Sequence, residues 1–370
     1  MKKYSIFVFF SVVILIMVGL YLVMSASSTI SDEKFSNQFY LFKNHLIKAF
    51  AGIACLIFFS FIPYEFYKGK TKLFLIIAIL LLIVTFGISS SVKGAKRWLD
   101  LGVLAFQPAD LAKLALFAHL AYLIETKDDL LDDFKFGFLP TFFWIAFTIG
   151  LILIQPNISS GLILLIISFT ILFVGGFKML HLVGSLTVCG IIVSSLAMVF
   201  THSRGRILDF INSIQSGGSI NDQVRQAMIG LGSGGLFGVG IGHSFQRNLF
   251  LPEAYGDFIF AILGEETGLV GSLSILIFYF IVFFTGILIS KNAKDKFGQL
   301  LGLGISLSFI LYALVNASVA SGLIPTTGLP LPFISYGGTS MIILCASFGI
   351  LINIGLRSEL NNQVSSEVAV

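Results

Sequence analysis

The chain is 370 residues long, 56% hydrophobic and 11% charged, with a mean hydropathy of +0.97. That much apolar surface cannot be hidden in a soluble core, so the composition excludes a soluble enzyme or binding module. The formal net charge of +4 assigns no partner until each charge is placed on a side of a membrane.

Apolar runs separated by charged breaks predict an all-α polytopic membrane protein of about ten helices, near residues 4–24, 45–62, 73–90, 109–124, 138–155, 159–175, 179–200, 259–289, 297–318 and 335–356. Lys2 and Lys3, the first run and Ser25-Ala26-Ser27 superficially resemble a signal peptide with its cleavage site. The run is too long for one and more spans follow, so it reads as a retained helix. An even count puts both termini on one side. Lys2, Lys3, Lys68, Lys70, Lys72, Lys127, Lys135, Lys178, Lys291, Lys294, Lys296 and Arg357 share that side, which the positive-inside rule makes the cytoplasm. The opposite loops are then 25–44, 91–108, 156–158, 201–258 and 319–334. They hold Lys34, Lys43, Lys93, Lys96, Arg97, Arg204, Arg206, Arg225 and Arg247. Cations in the short loop 91–108 point to an anionic ligand on the outer face; the plainer reading is that the cytoplasmic positives outnumber them. Residues 1–357 read as one membrane domain with loop 201–258 as its sizeable extramembrane element, and 358–370 as a polar cytoplasmic tail expected to fray. Cys55, Cys189 and Cys345 lie in apolar stretches without paired or metal-ligand spacing and read as packing residues.

Four polar islands interrupt the apolar text. The first is Gly94-Ala-Lys-Arg-Trp-Leu-Asp-Leu-Gly102, followed by Gln107-Pro-Ala-Asp110 and Lys113. Asp110 and Lys113 are three apart on a helix opened by Pro108, so they share a face and can pair. Such a pair lines a substrate path or locks two helices together. The second island, Gln155-Pro156-Asn157, is explained by turn chemistry alone. The third holds Arg204, Arg206, a glycine-rich run from Gly230 to Gly242, and Leu251-Pro-Glu-Ala-Tyr-Gly-Asp-Phe258. Gly230, Gly232 and Gly235 match a dinucleotide pattern, but no strand precedes them and no α/β unit surrounds them. The glycines instead suit tight packing against helices or a ligand. Asp257, with Glu253 before it, stands at the rim of the next span, as a general base or as a helix N-cap, and spacing alone favours the cap. The fourth island, Pro325-Thr-Thr-Gly-Leu-Pro-Leu-Pro-Phe-Ile-Ser-Tyr-Gly-Gly338, is irregular backbone where a short turn would suffice. At membrane depth such backbone lines a cavity or is buried in protein.

These islands, as GAKRWLDLG with QPADLAK, QPNISSG, DQVRQAMIGLGSGGLFGVGIG with LPEAYGDFIFAILGEETGLVG, and NASVASGLIPTTGLPLPFISYGG, resemble the shape, elongation, division and sporulation (SEDS) family, the FtsW and RodA group, over nearly the whole chain. The resemblance implies a peptidoglycan glycosyltransferase that polymerises lipid II at the outer face of the bacterial cytoplasmic membrane. It also implies a class B penicillin-binding protein and other division or elongation proteins as partners, with no nucleic acid. It places the catalytic aspartate at Asp257, overturning the capping preference. Arg97 and Trp98 fall on the first outer-loop motif, Lys113 on the lysine after Gln-Pro-Ser-Glu, and Arg206 on an arginine opening the long loop. Asp110 stands for the usual glutamate, Asn157 for aspartate, Gly256 for threonine and Tyr255 for a frequent histidine. FYLFKNHL, LPEAYGDFIFAILGEETGLVG and PTTGLPLPF are more similar to the division branch.

Polymerisation requires a sugar hydroxyl to lose a proton as a polyprenyl pyrophosphate departs. Asp257 is the expected base with inversion at the donor carbon. Lys96, Arg97, Lys113, Arg204 and Arg206 are candidates to bind the leaving anion, with Trp98, Asp110 and Glu253 as further substrate contacts. The family suggests a divalent cation, Mg or Mn, and no organic cofactor, although no dedicated ligand cluster is visible. Two other classes stay open. One is a lipid II transporter using Asp110 and Lys113 as its polar path, disfavoured because most islands fall on one side. The other is a non-catalytic scaffold for a penicillin-binding protein.

Overall fold

The computed structural model describes residues 1–88, 97–100, 105–216, 221–248 and 250–368. Its helices are α1 (Lys2–Phe35), α2 (Tyr40–Phe61), α3 (Glu65–Lys68), α4 (Thr71–Ile88), α5 (Pro108–Thr126), α6 (Leu139–Ile154), α7 (Ile158–Gly175), α8 (Met179–Val199), α9 (Thr201–Ser216), α10 (Asp222–Ser233), α11 (Ile259–Lys291), α12 (Lys296–Ala320) and α13 (Thr339–Val368). Leu99–Asp100 and Ala105–Phe106 form a small antiparallel ladder, Leu99 opposite Phe106.

Eight helical segments among the described residues are long and apolar enough to cross a membrane. The shorter apolar Thr71–Gly87 and the charged α5 pack beside them, so every expected span has a helix and the chain is a multi-pass membrane protein. α12 is the hub, packed on α5, α7 and α11, while α13 packs along α2.

Three boundaries differ from the sequence reading. The expected loop 25–44 shrinks to residues 36–39, because α1 runs on through Ser25, Ser27 and Ser31, whose small polar side chains are buried against neighbours. α11 is not one straight rod: Gly268 at φ 69° breaks it, and the glycine-rich run fills the break. Val239 and Gly240 donate to the carbonyls of Glu265 and Glu266 at 2.9 and 3.2 Å, and Leu269 and Val270 donate to Gly235 and Leu236 at 2.9 and 3.1 Å. The glycines therefore serve helix packing, since a Cβ on Gly238 would lie 2.1 Å from the Glu266 carbonyl. Finally, α13 starts at Thr339 and continues to Val368, through the segment expected to fray.

At the end of the bundle holding the termini, Lys68 bridges Glu125 and Asp295 at 2.5 and 3.0 Å, and Lys296 meets Asp128 at 2.5 Å. Residues 97–100 and 105–107, the turn 155–157, the short helices α9 and α10 with the described residues that follow them, and the irregular segment 321–338 gather at the opposite end, away from these pairs.

Candidate active site

Segment 321–338 has no regular structure, and its polar backbone is satisfied by surrounding side chains, as a non-helical stretch in an apolar setting demands. Tyr279 donates to the Pro332 carbonyl, and the Ser335 hydroxyl accepts from Leu331 N–H at 2.8 Å. This segment also holds the loop before α11. Ser335 donates to Gly256 O at 2.7 Å, and Tyr336 N–H donates to Tyr255 O at 2.8 Å. Asn316 of α12 donates to both Asp257 O and Leu329 O at 2.8 Å. Glu253, at φ 59°, turns the loop, and its carbonyl accepts from Gly256 N–H at 2.9 Å.

Asp257 is therefore positioned by its backbone and is half-buried. It does not cap α11, whose N-cap residue is Phe258 with no side-chain bond. A Cβ on Gly328 would lie 3.4 Å from Asp257 Oδ2 and 4.0 Å from Arg206 Nη1, so carboxylate and guanidinium converge over that glycine. Arg206 reaches there from α9 and donates to Thr326 O at 3.2 Å. Arg97 donates through Nε to Gln155 O at 3.3 Å and also to Pro156 O, at the negative C-terminal end of α6. Gln155 is fixed in turn by bonds to Leu82 O at 3.0 Å and Thr85 Oγ1 at 2.7 Å. Burial lowers the pKa of Arg97 and Arg206 from the usual arginine value. At Arg97 the repulsion of Arg206 adds to this, and Asp257 opposes the shift at both. Both remain charged at neutral pH, because arginine starts so high. Burial, then Glu253, Tyr336 and Asp257, push the Tyr255 hydroxyl up to about 12, so it stays a donor beside the carboxylate.

Arg97 and Arg206 face a cavity of about 330 Å³ that also exposes Asn157, Ser159, Thr326 and Thr327 at its polar part. Leu162, Ile163, Ala197 and Val315, from α7, α8 and α12, line its apolar part. Asp257 stands beside this cavity, next to the wall residue Leu329 to which Asn316 ties it. Such a chamber can hold a ligand with an anionic head and an apolar tail. Sequence reasoning undervalued Asn157: it is buried, its Nδ2 has no protein partner, and it lines the cavity beside the two arginines. The turn at Gln155-Pro-Asn gave no signal of its own beyond a helix break, and the family resemblance marked position 157 only as one where asparagine stands for aspartate.

The other expected residues fall elsewhere. Asp110 and Lys113 do pair, at 3.0 Å, but away from this cavity. Lys113 also donates to Tyr312 Oη at 3.0 Å, and Ser340 donates to Asp110 at 2.5 Å, so the pair joins α5 to α12 and α13. The adjoining chamber is about 40 Å³, room for water but not for a sugar. These contacts are those of a helix lock, and they place Lys113 outside the lining of the larger cavity. Arg204 is exposed and does not line the cavity. Trp98 packs over Gly338, where a Cβ would meet its ring at 3.4 Å. Lys96 lies outside the described residues. Among the described residues no group of three or more His, Cys, Asp or Glu side chains could hold a metal.

Below Asp257 on α11, Glu265 and Glu266 are buried and bonded. Glu265 accepts from Ser244 and from Phe245 N–H at 3.0 Å; Glu266 accepts from Tyr21 at 2.9 Å and Ser25 at 2.5 Å. They fasten the long loop and α1 to the broken turn of α11 under the site.

The chain is similar along its whole length to known proteins. It is 35% identical to a probable peptidoglycan glycosyltransferase FtsW of Trichlorobacter lovleyi, over 97% of this chain and 95% of that one. It is 36% identical to the protein of the same name from Haemophilus influenzae, over 95% and 90%. The stage V sporulation protein E of Bacillus subtilis is 32% identical over 94% and 95%. Among solved structures, a chain of a peptidoglycan synthase complex superposes with a TM-score of 0.76 at 23% identity, covering 95% of this chain and 97% of that one. The rod shape determining protein RodA of Thermus thermophilus superposes with a TM-score of 0.71 at 24% identity, covering 95% and 96%. The model of the FtsW, RodA and SpoVE family of cell cycle proteins matches residues 6–360, and with these relatives it places the chain in that family.

Proposed function

We propose that the protein is a peptidoglycan glycosyltransferase that polymerises lipid II, with Asp257 as its general base. The observation that carries this reading is the convergence of the Asp257 carboxylate with Arg206 beside a cavity lined by two arginines together with apolar side chains of α7, α8 and α12. The curated relatives named as glycosyltransferases support it.

The polyprenyl chain of the donor lies along the apolar wall formed by Leu162, Ile163, Ala197 and Val315, with its pyrophosphate toward Arg97, Arg206 and the Asn157 amide. The acceptor 4-hydroxyl gives its proton to Asp257 as its oxygen bonds to the donor anomeric carbon. The bond from that carbon to the phosphate oxygen breaks on the opposite face, with inversion, and the electron pair leaves on the pyrophosphate. The leaving group is stabilised by fixed positive charge and needs no strong acid. No step is routed through a metal ion.

The site end of the bundle is the outer face of the cytoplasmic membrane, and both termini are cytoplasmic. The basic residues at the terminus end and the even number of spans support this orientation. A class B penicillin-binding protein is the partner we propose, supported by the likeness to a chain of a peptidoglycan synthase complex. Septal synthesis is favoured by the FtsW names of relatives along the whole chain.

The test is polymerisation of purified lipid II by the full-length protein with its co-purifying partner, comparing wild type with Asp257→Asn. A drop of about 10²–10⁴-fold is expected for loss of a general base. Equal product from both proteins removes Asp257 from that role.

A further inference from the structure

Lys48 lies about two turns into α2 from the site end of the bundle. An ammonium inside an apolar span is costly, so it either reaches back to the interface or faces a partner that uses its charge. Lys48 does the second. It is half-buried, its Nζ donates to the Tyr336 hydroxyl at 3.4 Å, and it stands 4.6 Å from the centroid of the Tyr336 ring. His45, one turn earlier on the same face of α2, is fully buried and packs against the same tyrosine, with ring centroids 5.5 Å apart. Neither ring nitrogen of His45 has a hydrogen-bond partner, so that contact is one of packing, and the Tyr336 hydroxyl is held by Lys48.

Tyr336, with Ser335 beside it, is how segment 321–338 grips the loop before α11. Its N–H donates to the Tyr255 carbonyl at 2.8 Å, and its ring meets the Tyr255 ring edge-on, with centroids 5.5 Å apart at 83°. Asp257 follows two residues later. Asn316 fixes the Asp257 carbonyl from α12, and α2 reaches the same loop through Tyr336. An apolar side chain at position 48 would also fill space against the ring. It would neither direct the hydroxyl nor hold the π-face by charge, and these two restraints favour one placement of Tyr336.

We propose that Lys48 is a positioning residue for the transfer step: its ammonium fixes Tyr336, and through Tyr255 the aim of the Asp257 carboxylate, without touching the reacting atoms. The inference rests on the reading that Asp257 is the base.

The test measures kcat and KM for lipid II polymerisation by the full-length protein with its co-purifying partner, for Lys48→Met and Lys48→Arg. Lys48→Met keeps an unbranched stem but loses the charge and the donor, so kcat should fall about fivefold or more with KM unchanged. Lys48→Arg keeps both and should recover most of the lost rate, which a need for packing alone would not produce. In parallel, fluorine NMR of protein labelled with 3-fluorotyrosine follows the loop independently of activity, with the two resonances assigned by Tyr255→Phe and Tyr336→Phe. Both resonances should move in Lys48→Met and return toward their wild-type positions in Lys48→Arg. The proposal is overturned by a wild-type kcat in Lys48→Met, by a raised KM at constant kcat, by an arginine variant no better than methionine, or by a Tyr255 resonance indifferent to Lys48. Failure of wild type to polymerise lipid II sinks the reading of Asp257, while the fluorine spectra still decide whether Lys48 holds the loop, so the two ideas fail separately.

Discussion

Asn316 holds Asp257 by its backbone: one side-chain amide in α12 donates at 2.8 Å to the Asp257 carbonyl and at 2.8 Å to the Leu329 carbonyl. The carboxylate's aim thus depends on a residue that need not touch substrate. Asn316→Leu strands the buried Leu329 carbonyl, at about 1–3 kcal/mol, and frees the part-buried Asp257 carbonyl from its tie. Lipid II polymerisation by this variant should fall at least about tenfold, since small displacements of a catalytic group are costly. The melting temperature should drop by a few degrees. A variant with reduced stability and wild-type turnover would show that Asn316 only braces the fold.

Gly328 adopts φ 72°, and a methyl there would touch Asp257 Oδ2 at 3.4 Å. Gly328→Ala carries a left-handed penalty of about 1 kcal/mol and puts an apolar methyl in contact with the carboxylate where it meets Arg206. Turnover should fall more steeply than stability. Thermal melting and polymerisation measured on one preparation separate the two effects, and an unchanged rate would place the acceptor away from Gly328.

Asn157 offers the cavity an unpartnered buried amide. Asn157→Leu keeps the branched shape, adds bulk and removes the donor, so kcat/KM for lipid II should fall by more than about tenfold, the worth of a hydrogen bond to a charged group. An unaltered kcat/KM would make the residue a wall and nothing more.

Lys113 and Asp110 test the helix-lock reading. Removing one partner, as in Lys113→Met, leaves a part-buried carboxylate with Ser340 alone and should cost about 1–3 kcal/mol. Adding Asp110→Leu should recover much of that loss in thermal unfolding. A double variant no more stable than the single would mean the two charges do not act as a pair.

Gly19 of α1 backs onto the irregular segment so closely that a Cβ would sit 2.6 Å from Phe333 O and 2.7 Å from Ile334 Cα. These are backbone atoms and cannot rotate away. Gly19→Ala should destabilise by about 1–3 kcal/mol and slow polymerisation, although the residue lies on a different helix from the base. Wild-type melting and activity would mean α1 can shift without moving segment 321–338.

Every span was legible because an apolar run of the right length has one stable solution in hydrocarbon, a helix that bonds its own backbone. Pro108 opening α5 and the Asp110/Lys113 pair followed from helical spacing, a local property. Local reading failed where a polar residue could be exposed or buried. Ser25, Ser27 and Ser31 looked like loop, yet they are helix buried by Glu266 and other neighbours that spacing cannot reveal.

The sequence by itself determined the membrane architecture and the residues able to carry charge, because both follow from composition and short-range periodicity. The meeting of Asp257 with Arg206 over Gly328, the setting of Arg97 on the end of α6, and the bond of Lys113 to Tyr312 of α12 were decided only by the tertiary structure. Those relations join segments 50 to 200 residues apart, and they depend on where irregular backbone finds its hydrogen-bond partners, which no local pattern encodes.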